Sequence, residues 1–232
     1  VIQQLLSGGV YLYMREKKHD QPRLGTVENY RHFWMISVWV VYFIIFYIAE
    51  HVVTGNYYPV HMPLDDVIPF CEWFIFPYCL WHWLLAIVGV YLLLWDAENF
   101  KRFTAFIGIG FIPVMLFDIA FPNGQDLRPL VFERQNIATW LVARIYAADT
   151  NTNVFPSMHV IGSAALYAAT LYTPSIRKRG LDWVMLPLAV LISISTVFVK
   201  QHSCLDILGA IPYSALVWWL VYGVIFKKKK VK

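Results

Sequence analysis

Long apolar blocks alternate with short polar segments along the chain. A membrane-spanning helix needs about 20 mostly apolar residues to cross a hydrocarbon layer roughly 30 Å thick. The pattern therefore predicts an all-α polytopic membrane protein, built as a bundle of six transmembrane helices. We place these helices near residues 33–53, 74–95, 103–121, 158–173, 183–199 and 205–226. The fourth and fifth are short by hydropathy, which suits helices that pack against neighbours inside a bundle.

The composition agrees with this prediction. Of the 232 residues, 59% are hydrophobic and only 15% are charged, whereas a soluble domain is about 25% charged. Six spans account for about 120 residues and leave no room for a second domain. We divide the chain into an interfacial or cytoplasmic segment at 1–30, a six-helix membrane domain at 31–226 that carries any catalytic residues, and a basic cytoplasmic tail at 227–232.

Lysine and arginine are distributed unevenly between the loops, and their excess marks the cytoplasmic side of a membrane protein. The amino-terminal segment, the loops at 96–102 and 174–182 and the carboxyl-terminal tail are basic, whereas the 54–73 loop has no lysine or arginine. Both termini are therefore predicted to be cytoplasmic, and the 54–73 and 122–157 loops to be extracytoplasmic. This topology accounts for the net charge of +4, so we expect no nucleic-acid partner.

The 122–157 loop departs from the charge bias, because it carries Arg128, Arg134 and Arg144 on the predicted outer side. Anion binding is the simplest explanation for arginines placed there. In the same loop, apolar residues recur at helical spacing over Asn136–Ala148 and predict an amphipathic helix. This helix either lies on the membrane surface or caps the bundle without touching lipid.

Three short motifs fall at the predicted outer ends of the helices. Together they bring two histidines, a carboxylate and two cations to one face of the membrane, a set that suits chemistry on a phosphate group. The motifs are Leu127-Arg128-Pro129, Phe155-Pro156-Ser157-Met158-His159 and Lys200-Gln201-His202-Ser203-Cys204-Leu205-Asp206.

The catalytic candidates are His202, His159 and Asp206. His202 and Asp206 are four residues apart, so on a helix they share a face. A carboxylate there accepts a hydrogen bond from one imidazole nitrogen and leaves the other nitrogen as a nucleophile. His159 then supplies a proton to the leaving oxygen, a general-acid role worth roughly 10²–10⁴-fold in rate.

Three further residues are candidates for binding the phosphate. Pro156 followed by Ser157 starts a helix whose free backbone N–H groups suit an anion. Arg128 offers a planar fork for two phosphate oxygens, and Lys200 offers a point charge. No cofactor is expected.

The same motifs resemble the three-part signature of the type 2 phosphatidic acid phosphatase family, which comprises six-helix membrane lipid phosphatases and related transferases. The resemblance rests on Arg128-Pro129, the 156–159 run and the 202–206 run, in that order over residues 122–209. It implies that His202 forms a phosphohistidine, that His159 is the acid and that Asp206 orients His202. It also implies that no metal is needed.

Two positions depart from the family's pattern. The lysine that usually lies seven residues before the first-motif arginine is Phe121 here, and the serine-arginine pair before the third-motif histidine is Ser195-Thr196. Lys200 is a candidate replacement for one of the two missing cations. The Lys-Gln-His run that begins at Lys200, together with Pro63-Leu64-Asp65, resembles the branch that includes inositol-phosphorylceramide synthases.

The sequence leads to three hypotheses. The first is a metal-independent lipid phosphatase that hydrolyses a lipid phosphomonoester or pyrophosphate at the outer leaflet through a phosphohistidine, with a phosphorylated lipid substrate and membrane lipids as partners. The second is a lipid head-group phosphotransferase that uses the same three residues and passes the group to an alcohol. The third is a transporter or channel that binds a phosphorylated ligand without turnover.

Alternatives also exist for individual residues. The His202–Asp206 pair suits zinc or manganese as well, although the nearby cations oppose a dication and we predict no metal. Asp118, inside the third predicted helix, is a functional candidate because a charge there is costly, with a snorkelling or helix-terminus role as the alternative. Acidic residues of the 54–73 loop, such as Asp65 and Glu72, are candidates for lining the entrance to the site, but we expect them to be solvated.

Overall fold

The computed structural model describes residues 27–53 and 55–227. The predictions for the first 26 residues and for the lysine-rich end beyond residue 227 lie outside these residues. Over the described part the chain is about 74% helical and has nearly no strand. Five helical segments in it are long and apolar enough to cross a membrane: Tyr30–Val52, Glu72–Trp95, Ala97–Ala120, Leu181–Phe198 and Cys204–Ile225.

The helices lie close to their predicted positions, except that the third span begins at Ala97, so most of the predicted loop at 96–102 is helical. In chain order they are α1 (Ile36–Val52, preceded by a 3-10 segment at Val27–Met35), the short α2 (Leu64–Val67), α3 (Ile75–Trp95, preceded by a 3-10 turn at Glu72–Phe74), α4 (Ala97–Ala120), α5 (Ile137–Ala148), α6 (Met158–Tyr172), the short α7 (Pro174–Arg177), α8 (Leu181–Phe198) and α9 (Cys204–Trp218, continued by a π-helical segment at Trp219–Ile225).

The fourth predicted span is the exception in length. It corresponds to α6, which has 15 residues and so extends only about 22 Å. This helix packs against α4, α8 and α9 and lies in the middle of the bundle. Its buried face is rich in small residues, among them Gly162, Ala165 and Ala169, which let neighbouring helices approach closely. The prediction of six spans is therefore confirmed for five helices.

Local capping decides where the helices of the site begin. Asn136 starts α5, because its side chain accepts from the backbone N–H groups of Ala138 and Thr139. Ser203 starts α9, because its hydroxyl accepts from the N–H of Leu205. Side chains of this kind satisfy donors that have no partner within the helix.

Two strands of two residues each connect the two loops that are predicted to be extracytoplasmic. β1 (Tyr58–Pro59) pairs in parallel with β2 (Asn123–Gly124), and Gly124 also forms an antiparallel bridge with Thr152. The predicted outer loops at 54–73 and 122–157 therefore form one layer over the amino-terminal ends of α6 and α9.

The predicted helix at Asn136–Ala148 is present as α5. Its inner face buries Ala138, Thr139 and Val142 against α3 and the turn before it. Ile137 and Trp140 stay more than half exposed. Its position relative to a membrane surface stays a prediction.

Candidate active site

His202 is held from one side only. Its Nδ1 lies 3.0 Å from Asp206 Oδ2 and 3.1 Å from the carbonyl oxygen of Val154. A backbone carbonyl only accepts hydrogen bonds, so Nδ1 must carry a proton to satisfy it. In the neutral imidazole the lone pair is then on Nε2. No donor or acceptor in the described part of the chain reaches Nε2, and His202 lines the cavity described below.

His159 faces His202 across the site, with ring centroids 5.6 Å apart. It lies between two aromatic rings that are tilted relative to it, Tyr78 at 4.4 Å and Trp81 at 4.3 Å. Gly162 makes room for Trp81, because a Cβ at this position would lie 2.6 Å from the indole. Among the described residues neither imidazole nitrogen of His159 finds a hydrogen-bond partner. A buried histidine without partners is costly unless a ligand supplies them.

Ser157 and the start of α6 lie at the same site. The Ser157 backbone N–H donates to the carbonyl oxygen of Asp206 at 3.2 Å, which joins the starts of α6 and α9. The Ser157 hydroxyl is fully buried and has no partner in the described chain. It does not cap the helix, so the first backbone N–H groups of α6 stay free to bind an anion.

Arg128 lies beside the site, and its guanidinium is engaged in hydrogen bonds within the protein. Its guanidinium donates to the carbonyl oxygens of Tyr146, Asp149 and Thr150 and to the side-chain oxygen of Gln201. It also lies 4.5 Å above the Tyr146 ring. Burial lowers the pKa of Arg128, and the neighbouring Asp149 opposes that shift. Arg128 therefore holds the 146–150 segment against the residue that precedes His202.

Lys200 does not reach the histidines. Its ammonium donates to the carbonyl oxygens of Asp65 at 2.9 Å and Ile68 at 2.6 Å. Its backbone φ of 53° is in the left-handed region. Burial lowers the pKa of Lys200 and the Asp65 carboxylate opposes it. The structure thus brings together His202, Asp206, His159 and Ser157 and places Arg128 beside them. The Lys200 side chain is directed instead to the carbonyl oxygens of Asp65 and Ile68.

The other outer-loop arginines also have protein partners. Arg134 forms an ion pair with the buried Glu72 at 2.8 Å, and Arg144 lies 5.2 Å above the Trp140 ring. These contacts give both arginines a structural explanation on the predicted outer side.

A cavity of about 520 Å³ leads away from the histidines, within the range typical of ligand sites. It passes between α1 and α3, from Gln201 and His202 at one end to Ile36 and Leu93 at the other. From Tyr78 to Leu93 along α3 this is about 22 Å. Two residues that line it, Phe43 and Val90, are 60% and 53% exposed. The cavity therefore opens sideways between two helices that are apolar enough to span a membrane.

Two carboxylates at the polar end of this cavity were not singled out from the sequence. Glu50 ends one wall near the end of α1, and Asp149 follows α5. Burial, followed by the charge of Glu50, raises the pKa of Asp149 to about 6. The polar run Asp149-Thr150-Asn151-Thr152-Asn153 directly after an apolar helix is the signal in the sequence that points to this segment.

Asp118 is connected to the site through Asn123. It is fully buried near the end of α4, where one carboxylate oxygen accepts from the Asn123 side chain at 2.6 Å. Asn123 in turn accepts from the backbone N–H groups of Val154 and Phe155. The Val154 carbonyl contacts His202, so a chain of contacts runs from Asp118 to this histidine. Asp118 lies two residues before the end of α4, a position that fits the helix-terminus alternative considered above.

Asp65 and Glu72 are buried and not solvated as expected, since each is only 1% exposed. Asp65 accepts from the Ser203 hydroxyl and from the backbone N–H of Cys204 at 2.7 Å. Burial raises its pKa, but these hydrogen bonds outweigh burial and the pKa lies below its usual value. Sequence pattern alone missed this role because the partners lie more than a hundred residues away.

The metal alternative gains no support from this geometry. In the described part of the chain, no group of three or more His, Cys, Asp or Glu side chains is placed to hold a metal ion. His202 Nδ1 and Asp206 Oδ2 contact each other at 3.0 Å, so these two atoms are not directed at a shared ion.

The fold and the site together define a helical membrane protein with a pair of facing histidines at one end of a lateral cavity. The family model of the PAP2 superfamily matches residues 124–230, which include both histidines. The match supports the type 2 phosphatidic acid phosphatase superfamily and a phosphatase-type enzyme. With the apolar helices it supports an integral membrane protein. Neither a curated protein nor a solved structure matches the chain.

Proposed function

We propose that this protein is a metal-independent lipid phosphatase, which hydrolyses a phosphomonoester or pyrophosphate of a membrane lipid through a phosphohistidine on His202. The observation that carries the proposal is the environment of His202. Two acceptors, Asp206 and the Val154 carbonyl, fix the proton on Nδ1, and Nε2 is left with a lone pair at the cavity. This is how a histidine is prepared for nucleophilic attack.

The reaction needs two steps. In the first, His202 Nε2 forms a bond to phosphorus while the bond from phosphorus to the leaving oxygen breaks, and that oxygen takes a proton from His159. In the second, water attacks the phosphorus, the P–N bond breaks and the proton of the water passes to His159. Free N–H groups at the start of α6, with the Ser157 hydroxyl, are placed to stabilise the developing charge.

The lateral cavity supports a lipid substrate. Its walls are mostly apolar side chains of α1 and α3, among them Phe43, Phe46 and Leu85, and its polar groups are concentrated at the histidine end. A molecule with a hydrocarbon tail can enter sideways from a bilayer and place its phosphate at His202 without leaving the apolar phase.

The test is direct capture of the intermediate. Purified protein is mixed with a panel of ³²P-labelled phospholipids, and phosphate release and acid-labile phosphoprotein are measured after rapid quenching. We expect both in the wild type and neither in His202→Ala. The matched control is His61→Ala, since His61 is an exposed loop histidine paired with Asp66 and should behave as wild type. Near-normal release by His202→Ala rules the mechanism out.

Chelation provides a second test. The proposal expects millimolar EDTA to leave the rate unchanged and vanadate, a mimic of pentacoordinate phosphorus, to inhibit. Inactivation by EDTA, with activity restored by one divalent ion, would show that the reaction depends on a metal.

We also propose that both termini are cytoplasmic and the site extracytoplasmic, on the basis of the distribution of basic residues.

The second candidate function is lipid head-group phosphotransfer, as in the branch that includes inositol-phosphorylceramide synthases. It is favoured by the carboxylates of Glu50 and Asp149 in the cavity, because acceptor groups beside the nucleophile suit an alcohol better than a phosphate. Product analysis with water alone and with added alcohols separates the two functions.

A further inference from the structure

We propose that Glu50, Asp149 and Asn153 form a binding subsite for the hydroxyl groups of a polyhydroxylated acceptor alcohol. The inference rests on the proposed function, since it requires a phosphorylated His202. It assigns a role to the three residues at the polar end of the cavity that the hydrolysis steps do not use.

Glu50 is fixed in place by neutral donors. One carboxylate oxygen accepts from the Asn153 side chain at 2.9 Å, and the other accepts from the backbone N–H and the hydroxyl of Thr150 at 3.1 and 2.7 Å. No ion pair to Glu50 exists among the residues described. The oxygen that accepts from Asn153 keeps a lone pair for a further donor, whereas the other oxygen has both lone pairs engaged by Thr150. The residue lines the cavity.

Asp149 is held more loosely. Its Oδ2 lies 3.3 Å from the Gln201 side-chain nitrogen and 3.5 Å from the Tyr78 hydroxyl, which are long contacts. Its Oδ1 accepts from no group of the described residues, although the carboxylate also lines the cavity. A carboxylate in this position has open acceptor capacity directed at the site.

Asn153 provides the independent observation. It is only 7% exposed and lines the same cavity, yet its side-chain oxygen has no partner in the described chain. Its amide nitrogen is committed to Glu50 and to the Thr152 hydroxyl, so the orientation of the amide is fixed. A buried amide oxygen without a donor is costly, and a ligand hydroxyl removes that cost.

The chemistry of the subsite selects its ligand. All three residues present oxygens that accept hydrogen bonds, and two of them are anionic. Phosphate oxygens also accept and are repelled, whereas alcohol hydroxyls donate. Three acceptors on separate residues suit a molecule with several hydroxyl groups, and their place beside Gln201 and His202 brings one hydroxyl close to the phosphorus.

The transfer step balances without a further reactant. One hydroxyl oxygen of the acceptor attacks the phosphorus of phospho-His202, a P–O bond forms and the P–Nε2 bond breaks. The hydroxyl proton passes to His159, which returned to its neutral form when it protonated the first leaving group. The neighbouring hydroxyls stay bound to Glu50, Asp149 and Asn153.

The experiment measures how the phosphoenzyme is partitioned. The full chain in detergent is given the phospholipid that the substrate panel identifies, with water alone or with glycerol, myo-inositol or ethanolamine. The readout is the ratio of phosphorylated alcohol to free phosphate in one sample, so loss of folded protein cancels. We expect alcohol products with the polyols and a ratio that falls about 10-fold or more in Glu50→Gln and in Asp149→Asn.

The matched control is Glu133→Gln, an exposed glutamate of the long loop, in which the ratio should stay that of the wild type. Three results overturn the subsite while leaving the phosphatase intact: phosphate release with no alcohol product, variants that change hydrolysis and transfer equally, or ethanolamine preferred over both polyols. Absence of phosphoenzyme and of phosphate release with every lipid of the panel instead contradicts the proposed function itself.

Discussion

Asp206 Oδ2 lies 3.0 Å from His202 Nδ1 and, with the same oxygen, accepts the backbone N–H of Ser203 at 2.9 Å. The second contact is half of the capping box that starts α9. The hydrogen bond that starts α9 therefore fixes the Asp206 carboxylate. Because this carboxylate contacts Nδ1, it also fixes the orientation of the His202 imidazole.

Asp206→Asn tests this coupling. The amide keeps the size of the side chain but removes the charge, which weakens the preference for a proton on Nδ1 and for a lone pair on Nε2. We expect turnover to fall by about 10²-fold or more. The melting temperature should change little, because an amide oxygen can still cap Ser203. Turnover within threefold of wild type would show that the Val154 carbonyl alone orients the ring.

The role of His159 is best tested through the leaving group. A general acid matters for a poor leaving group and little for a good one. His159→Gln should therefore cost about 10²–10⁴-fold with an alkyl phosphate ester and far less with a nitrophenyl phosphate. We would compare kcat/KM for the two substrates in wild type and variant. An equal loss with both substrates contradicts the acid role and points to packing between Tyr78 and Trp81.

Lys200→Met separates two roles for this lysine. Its ammonium binds the carbonyls of Asp65 and Ile68, so we expect a loss of about 1–3 kcal/mol in stability from unpaired buried carbonyls. Turnover per folded molecule should stay within about threefold. Lys101→Met, at a lysine whose side chain is 41% exposed, is the control. A fall of about 10²–10³-fold in turnover would instead restore Lys200 as a phosphate donor.

The partition between alcohol and water should depend on pH through Asp149. Its pKa is raised to about 6, so the carboxylate is ionised above that pH and gains a proton below it. The alcohol-to-water ratio should fall up to about tenfold between about pH 8 and pH 5. Steps that form the phosphoenzyme cancel in the ratio. The dependence should vanish in Asp149→Asn, and its persistence there would assign it to another group.

The orientation of the site can be read by thiol labelling. Leu130 is fully exposed in the long loop, and Arg179 is exposed between α7 and α8. In a background with Cys71 and Cys79 changed to serine, Leu130→Cys should react with an impermeant reagent in intact cells and Arg179→Cys should not. Gly124 is unsuitable, because a Cβ there meets Tyr57 and Asn151 within 2.8 Å. The opposite labelling pattern would place the site in the cytoplasm.

Most of the membrane helices could be predicted from the sequence, because hydrophobicity over about 20 residues is a local property. The helix limits were predicted to within about three residues, including the helix before Asp149, except that α4 begins at Ala97 and not near residue 103. The spacing of His202 and Asp206 is also local, since four residues make one helical turn. The sequence placed His159 and His202 only on the same side of the membrane. The distance of 5.6 Å between their ring centroids depends on how α6 and α9 pack.

By itself, then, the sequence determined the apolar helices, the order of the motifs and the pairing of one histidine with its carboxylate. Only the tertiary structure decided where the cations and acids went. Arg128 and Lys200 donate to backbone carbonyls, and Asp65 accepts hydrogen bonds at the start of α9. Glu50 and Asp149 line the same cavity. These partners lie up to about 140 residues apart in the chain, and hydrogen bonds at such a separation are set by the packing of helices, which no local pattern encodes.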